Sequence, residues 1–122
     1  MTERTPLEDL LVGGLDDWAD AGWVLQTVWL PGETDRARLR SLTFELIAEV
    51  LRGGLMVAGD IVGSEHVPWH GDAEDAIRRI TSEWLDEWNN EVPTPGAIVW
   101  LANTAAGDEI ARAVLARERG AG

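Results

Sequence analysis

The 122-residue sequence contains no cysteine, no lysine and no tyrosine, and only one phenylalanine. Without cysteine there is no disulfide, no thiolate zinc site and no thiol nucleophile. No window approaches the roughly 18 consecutive apolar residues that a membrane-spanning helix requires. The stretch from Met1 to Leu15 carries Glu3, Glu8 and Asp9 and has no basic flank leading into an apolar core, so it does not read as a secretory signal. A cytoplasmic location is expected. Catalytic signatures are missing too: Ser41, Ser64 and Ser82 lack a G-x-S-x-G context, and neither a G-x-G-x-x-G nor a phosphate-loop pattern is present. Positive charge is scarce. Ten arginines face 22 acidic side chains, for a formal net charge of −12. Such a field repels phosphate backbones and attracts basic surfaces. The missing lysine, beside plentiful Ala, Gly and Arg, fits GC-rich codon usage and says little about function.

What the chain has in excess is tryptophan, with seven. Its clearest element lies between Thr34 and Val62. Leu39, Leu42, Leu46, Ile47, Val50 and Leu51 share one face of a 3.6-residue helix, with Thr34 or Asp35 as N-cap and Arg52-Gly53-Gly54 as the stop. Leu55 to Val62 then alternates as a half-buried strand. Before it, Thr5-Pro6-Leu7-Glu8 has the form of a capping box opening a lead helix within residues 1–14, ended by Gly13-Gly14. A second helix is expected from Leu15 to about Leu30, with Asp16, Asp17 and Asp20 at its positive end. After a loop from Gly63 to Gly71, Asp72 caps a helix whose stripe is Ile77, Ile80, Trp84, Leu85 and Trp88. Asp86, Glu87 and Glu91 crowd the far end of that helix, where the dipole disfavours them. Ala97 to Ala102 reads as a buried strand, and Thr104 or Asp108 opens a last helix that frays over residues 119–122. With no repeats and no long linker, a single α+β domain is expected: mostly helical, with a two-stranded sheet and an extra helix inserted between the strands.

Two runs carry a resemblance. Leu46-Ile47-Ala48-Glu49-Val50-Leu51-Arg52-Gly53-Gly54-Leu55-Met56-Val57 resembles a recognition helix feeding the first wing strand of winged-helix proteins. Ile98-Val99-Trp100-Leu101-Ala102-Asn103-Thr104-Ala105-Ala106-Gly107 resembles their second wing strand and the following helix. The helix from Asp72 to Asn90 between them departs from that pattern, in which the wing is a short hairpin. Leu7-Glu8-Asp9-Leu10, Gly59-Asp60 and Trp100-Leu101 also resemble small acidic proteins of unassigned role in high-GC Gram-positive bacteria. That likeness implies a fold and a host class but no activity.

Four groups of residues could carry chemistry. Glu65, His66, His70 and Asp72 are potential ligands within eight residues, but Pro68 breaks the helix that the i, i+4 histidines would need to bind a metal. Asp60, with Glu65 or Asp72, could serve as acid and base; a turn residue capping its own backbone is the plainer reading. Arg36, Arg38 and Arg40 are the residues that would contact phosphates if the winged-helix likeness meant DNA binding, although Glu45 and Glu49 follow on the same helix. Trp69, flanked by a proline and a histidine, is the candidate exposed anchor, while Trp18, Trp84, Trp88 and Trp100 fit core stripes and Trp23 and Trp29 fit none.

The remaining signal is the acidic set Asp16, Asp17, Asp20, Asp86, Glu87 and Glu91, which would steer a basic partner while an aromatic or aliphatic patch holds it. The expectation is therefore a non-enzymatic acidic protein-binding module without a cofactor, of inhibitor or immunity type, matched to a basic protein such as a toxin. A winged-helix-derived transcriptional regulator is the alternative. A small hydrolase or metal-binding protein using the loop at 60–72 comes third. Either a monomer or a homodimer is compatible with the residues.

Overall fold

A computed structural model describes residues 3–121. The chain opens as the capping box requires. Helix α1 spans Pro6–Gly13, with the Thr5 hydroxyl accepting from the Glu8 amide and the Glu8 carboxylate accepting from the Thr5 amide. Strand β1 (Ala19–Asp20) and helix α2 (Ala21–Val28) follow. The second helix thus starts six residues later than its apolar spacing suggested. Asp20 is the reason: its Oδ1 accepts from the Trp23 amide at 2.9 Å, so the cap falls there and not near Leu15.

Helix α3 (Arg36–Arg52) is capped by Asp35 and buries Leu39, Thr43, Leu46, Ile47, Val50 and Leu51. It packs against α2 on one side and against α4 (Ala73–Glu83) on the other. Strand β2 (Met56–Val62) turns at Gly63-Ser64 into β3 (Glu65–Pro68). Gly63 takes φ 65°, as the first central position of a two-residue hairpin of type II′ demands. The loop expected between Gly63 and Gly71 is therefore half strand, and Asp60 lies inside β2 opposite Val67, not at a turn. The expected two-stranded sheet is a four-stranded antiparallel one, in the order β1-β4-β2-β3. Strand β4 (Trp100–Asn103) pairs with both β1 and β2, and α4 does lie between β2 and β4 in the chain.

Two connections shape the route into β4. Helix α4 ends in a π-helical turn, Trp84–Trp88, closed by the Asn89 amide on the Trp84 carbonyl at 2.7 Å. Trp84 is buried in the core, and Trp88, one turn on, packs against it. Ile98 has φ 73°, and the Val99 amide bonds the Ala97 carbonyl at 2.9 Å, a three-residue γ-turn. That turn explains why the strand expected from Ala97 begins only at Trp100. Helix α5 (Ala105–Ala121) starts from Thr104, whose hydroxyl accepts from the Gly107 amide. It remains helical through most of the tail expected to fray; Gly122 lies outside the described residues.

Alternation along the sheet sends Met56, Ala58, Leu101 and Ala19 inward, all buried. They join Leu10, Leu11, Val24, Ile47, Val50, Ile80, Trp84 and Ala111 in one cluster. Ion pairs tie the helix ends together outside it. Arg4 bonds Glu118, Arg117 bonds Glu8, and Arg52 bonds Glu74. The Thr5 amide and Arg117 hold the Glu8 carboxyl below the usual carboxylate range; Arg4 does so for Glu118, and Arg52 for Glu74. A carboxyl lowered on folding contributes stability above its unfolded pKa and loses it as the pH falls through the folded value. The melting temperature is thus expected to fall on acidification below the usual carboxylate range. Replacing Glu118 by Gln should flatten that fall in a thermal-melt series across pH.

Candidate functional site

The end of α1 and the start of α5 lie side by side across the end of β4. Gly14, the C-cap of α1, fits against the Asn103 side chain where any Cβ would collide. Asn103 Nδ2 donates to the Leu11 carbonyl at 2.8 Å and to Asp108 Oδ1 at 3.1 Å, fastening α1, β4 and α5 at one point. Beside this knot opens a cleft of about 410 Å3, lined by Gly14, Leu15, Asp16, Asp17, Trp18, Ala102, Asn103 and Asp108. Asp16 and Asp17 are exposed, and Asp108 and Trp18 are half-buried. The Trp18 amide donates to Asp17 Oδ1 at 2.7 Å, which ties that carboxylate to the backbone at the edge of the cleft. Among the described residues no arginine is ion-paired with Asp16, Asp17 or Asp108.

Trp18 continues the cleft onto the outer face of the sheet. Its ring centroid lies 6.3 Å from that of His66, tilted by 40°. His66 lies across Gly59 with Nε2 2.9 Å from the Trp100 carbonyl oxygen. A carbonyl can only accept, so Nε2 donates in this contact. Val57, Ile61, Trp100, Ala102 and Pro68 share this face by alternation, giving a part-apolar surface beside an acidic cleft. Gly96 rests on the Trp100 indole and fixes the loop before β4.

The acidic residues singled out in the sequence fall into three places. Asp16 and Asp17 line the cleft. Asp20 does not belong with them: its second oxygen, Oδ2, accepts from the Gly96 amide at 2.7 Å, so both its oxygens serve the fold. Asp86, Glu87 and Glu91 are exposed on the π-turn and the loop after it, beside a 43% exposed Leu85, and none of them lines the cleft. Trp69 is not an open anchor. It is half-buried against the core, with the Arg79 guanidinium 3.7 Å above its ring.

The other two sets are dispersed or engaged. Glu65 and His66 are neighbours on β3 and point to opposite faces, His70 is exposed in the following loop, and Asp72 caps α4 through the Asp75 amide. The four do not come together, and no group of three or more His, Asp or Glu side chains among the described residues is arranged to hold a metal ion. Arg36 stacks on Trp29 at 4.9 Å, Arg38 faces Glu33 at 3.9 Å, and Arg40 donates to the side chains of Asn89 and Asn90. All three arginines thus have partners within the fold.

Sequence reasoning missed Trp18, Asn103 and Asp108 as site residues. Trp18 matched a core stripe and Asp108 matched a helix start, and only the pairing of β1 with β4 brings the two together. Comparison with protein-family models, with curated proteins and with solved structures gave no significant match. No helix among the described residues is long and apolar enough to cross a membrane.

Proposed function

We propose that the chain is a non-enzymatic, acidic protein-binding module that receives a cationic side chain of a basic partner in the cleft between Trp18 and Asp108. One observation carries the reading: Asp16, Asp17 and Asp108 converge beside an indole, and among the described residues no arginine is ion-paired with any of them. Carboxylates and an aromatic face together suit an arginine, which can bond one and stack on the other. The formal charge of −12 steers such a partner from a distance, and the outer sheet face supplies apolar area beside the point of entry. An inhibitor or immunity-type protein that neutralises a basic toxin is the specific form this takes.

The test is affinity capture from a lysate of the source organism at low and at high salt. A basic protein should be retained by the native chain at low salt and released at high salt. It should be lost from Asp16→Lys/Asp17→Lys, a reversal at two exposed side chains whose one hydrogen bond among the described residues is that of Asp17 with the neighbouring Trp18 amide. Retention unaffected by that double substitution would count against the cleft.

A second reading, a regulator of winged-helix descent, is supported by α3 leading directly into β2 and by the pairing of β2 with β4. Against it stand the engaged arginines and the exposed Glu45 and Glu49 on the outward side of α3. Duplex DNA binding that steepens as salt falls and disappears on replacing Arg38 would favour the regulator.

A further inference from the structure

The first turn of α1, the end of α2 and the outward side of α3 enclose a groove of about 370 Å3. Leu7, Val28, Leu30, Leu42 and Leu46 make it aliphatic. Leu30 is 65% exposed, the highest value among the large hydrophobic side chains described. Along the same groove α3 presents Glu45 and Glu49, four residues apart, exposed and free of ion pairs among the described residues. Its one cation, Arg38, faces Glu33. From Arg38 to Glu49 the groove follows α3 for about 16 Å, three turns of helix.

The geometry points to this groove as the seat of a short amphipathic helix from another protein, aliphatic on one face and basic along the edge that meets Glu45 and Glu49. A helix is the occupant because it satisfies its own backbone, and no sheet edge lines the groove to pair with a strand. Three turns offer apolar anchors at i, i+3 or i+4, and i+7, matching the length available. The edge must be basic because two unpaired carboxylates line one wall at helical spacing, where like charges would be repelled. The same repulsion disfavours a second copy of this chain, which carries −12 itself. The groove shares no residue with the cleft at Trp18, so the inference stands without the cleft reading.

The probe is a synthetic three-turn peptide with leucine at the anchor positions and lysine elsewhere. One control replaces its lysines by glutamate, another its leucines by serine. Binding is read by calorimetry on the full chain, with the Trp29 indole resonance, between Val28 and Leu30, as local reporter. The leucine-lysine peptide is expected to bind and to shift Trp29. Leu30→Asp should weaken it roughly tenfold or more, and Glu45→Lys/Glu49→Lys should weaken it as well. Asp16→Asn/Asp17→Asn should leave it unchanged at physiological salt, where distant surface charges are screened. No binding, equal binding of either control peptide, or binding indifferent to Leu30→Asp would overturn the inference. Self-association of the chain that Leu30→Asp abolishes would overturn it too, by assigning the groove to a second copy.

Discussion

Replacing Trp84 by alanine is expected to cost about 3–5 kcal/mol of folding stability. Trp84 is 1% exposed and meets Phe44 edge-on, with ring centroids 5.4 Å apart and planes at 87°. Phe44 comes from α3 and Trp84 from the junction of α4 with its π-turn, so the pair joins the helix inserted between β2 and β4 to the central helix. Truncation leaves a cavity that α3 cannot close without moving the sheet packed behind it. Against a total of roughly 5–15 kcal/mol for a domain of this kind, that is a fifth of the stability or more. Urea denaturation followed by far-ultraviolet dichroism measures it. A loss under about 1 kcal/mol would mean that α4 is not packed as described.

The second large effect is expected at Gly59. A Cβ there would run into the Val67 carbonyl oxygen and come within 2.6 Å of His66 Cε1. The first obstacle is backbone of the paired strand and cannot rotate away. Gly59→Val should therefore push β3 from β2, at a cost of about 1–3 kcal/mol. It should also break the contact of His66 with the Trp100 carbonyl. Two readouts separate these consequences: the melting temperature reports the strain, and the imidazole and Trp18 indole resonances report whether His66 has left its place. Unchanged His66 and Trp18 signals in Gly59→Val would show that the outer sheet face is not built around this glycine.

Local signals made much of the fold legible. The capping box at Thr5, the apolar stripe of α3 and the caps at Asp35 and Asp72 all lie where nearest neighbours in sequence set the energetics. Errors arose where distant contacts decide. Asp16 and Asp17 resemble a helix start, but the partner that orders this region is Leu101, opposite Ala19 in the sheet. Strand β3 carries a proline and two charged or titratable residues, features of an edge strand that alternation alone does not separate from a loop. Ile98 gave no warning of its γ-turn, since a β-branched residue at positive φ contradicts its own preference.

The candidate site was legible only in its charge. Asp16 and Asp17 stand out in the sequence as carboxylates, while the adjacent Trp18 reads as core by its spacing and the third carboxylate, Asp108, comes from elsewhere in the chain. The arginines show the same limit from the other side. Three cations near the start of a helix suggested phosphate contacts, yet Trp29, Glu33 and the Asn89-Asn90 pair engage them, and none of those partners is recognisable from α3 itself.

The seven tryptophans show directly where a partner sits, because their indole N–H signals report separate parts of the surface and core. Trp18 lies in the cleft, Trp29 beside the aliphatic groove, Trp69 under Arg79, Trp88 on the π-turn and Trp84 in the core. A nitrogen–proton correlation spectrum of the labelled chain, recorded with and without the captured basic protein, reads all of them at once. Binding in the cleft predicts that the Trp18 signal shifts or broadens while that of Trp84 stays fixed, and that Asp16→Lys/Asp17→Lys removes the change. A complex that perturbs only the signals of Trp69 or Trp88, and leaves Trp18 untouched, would contradict the account.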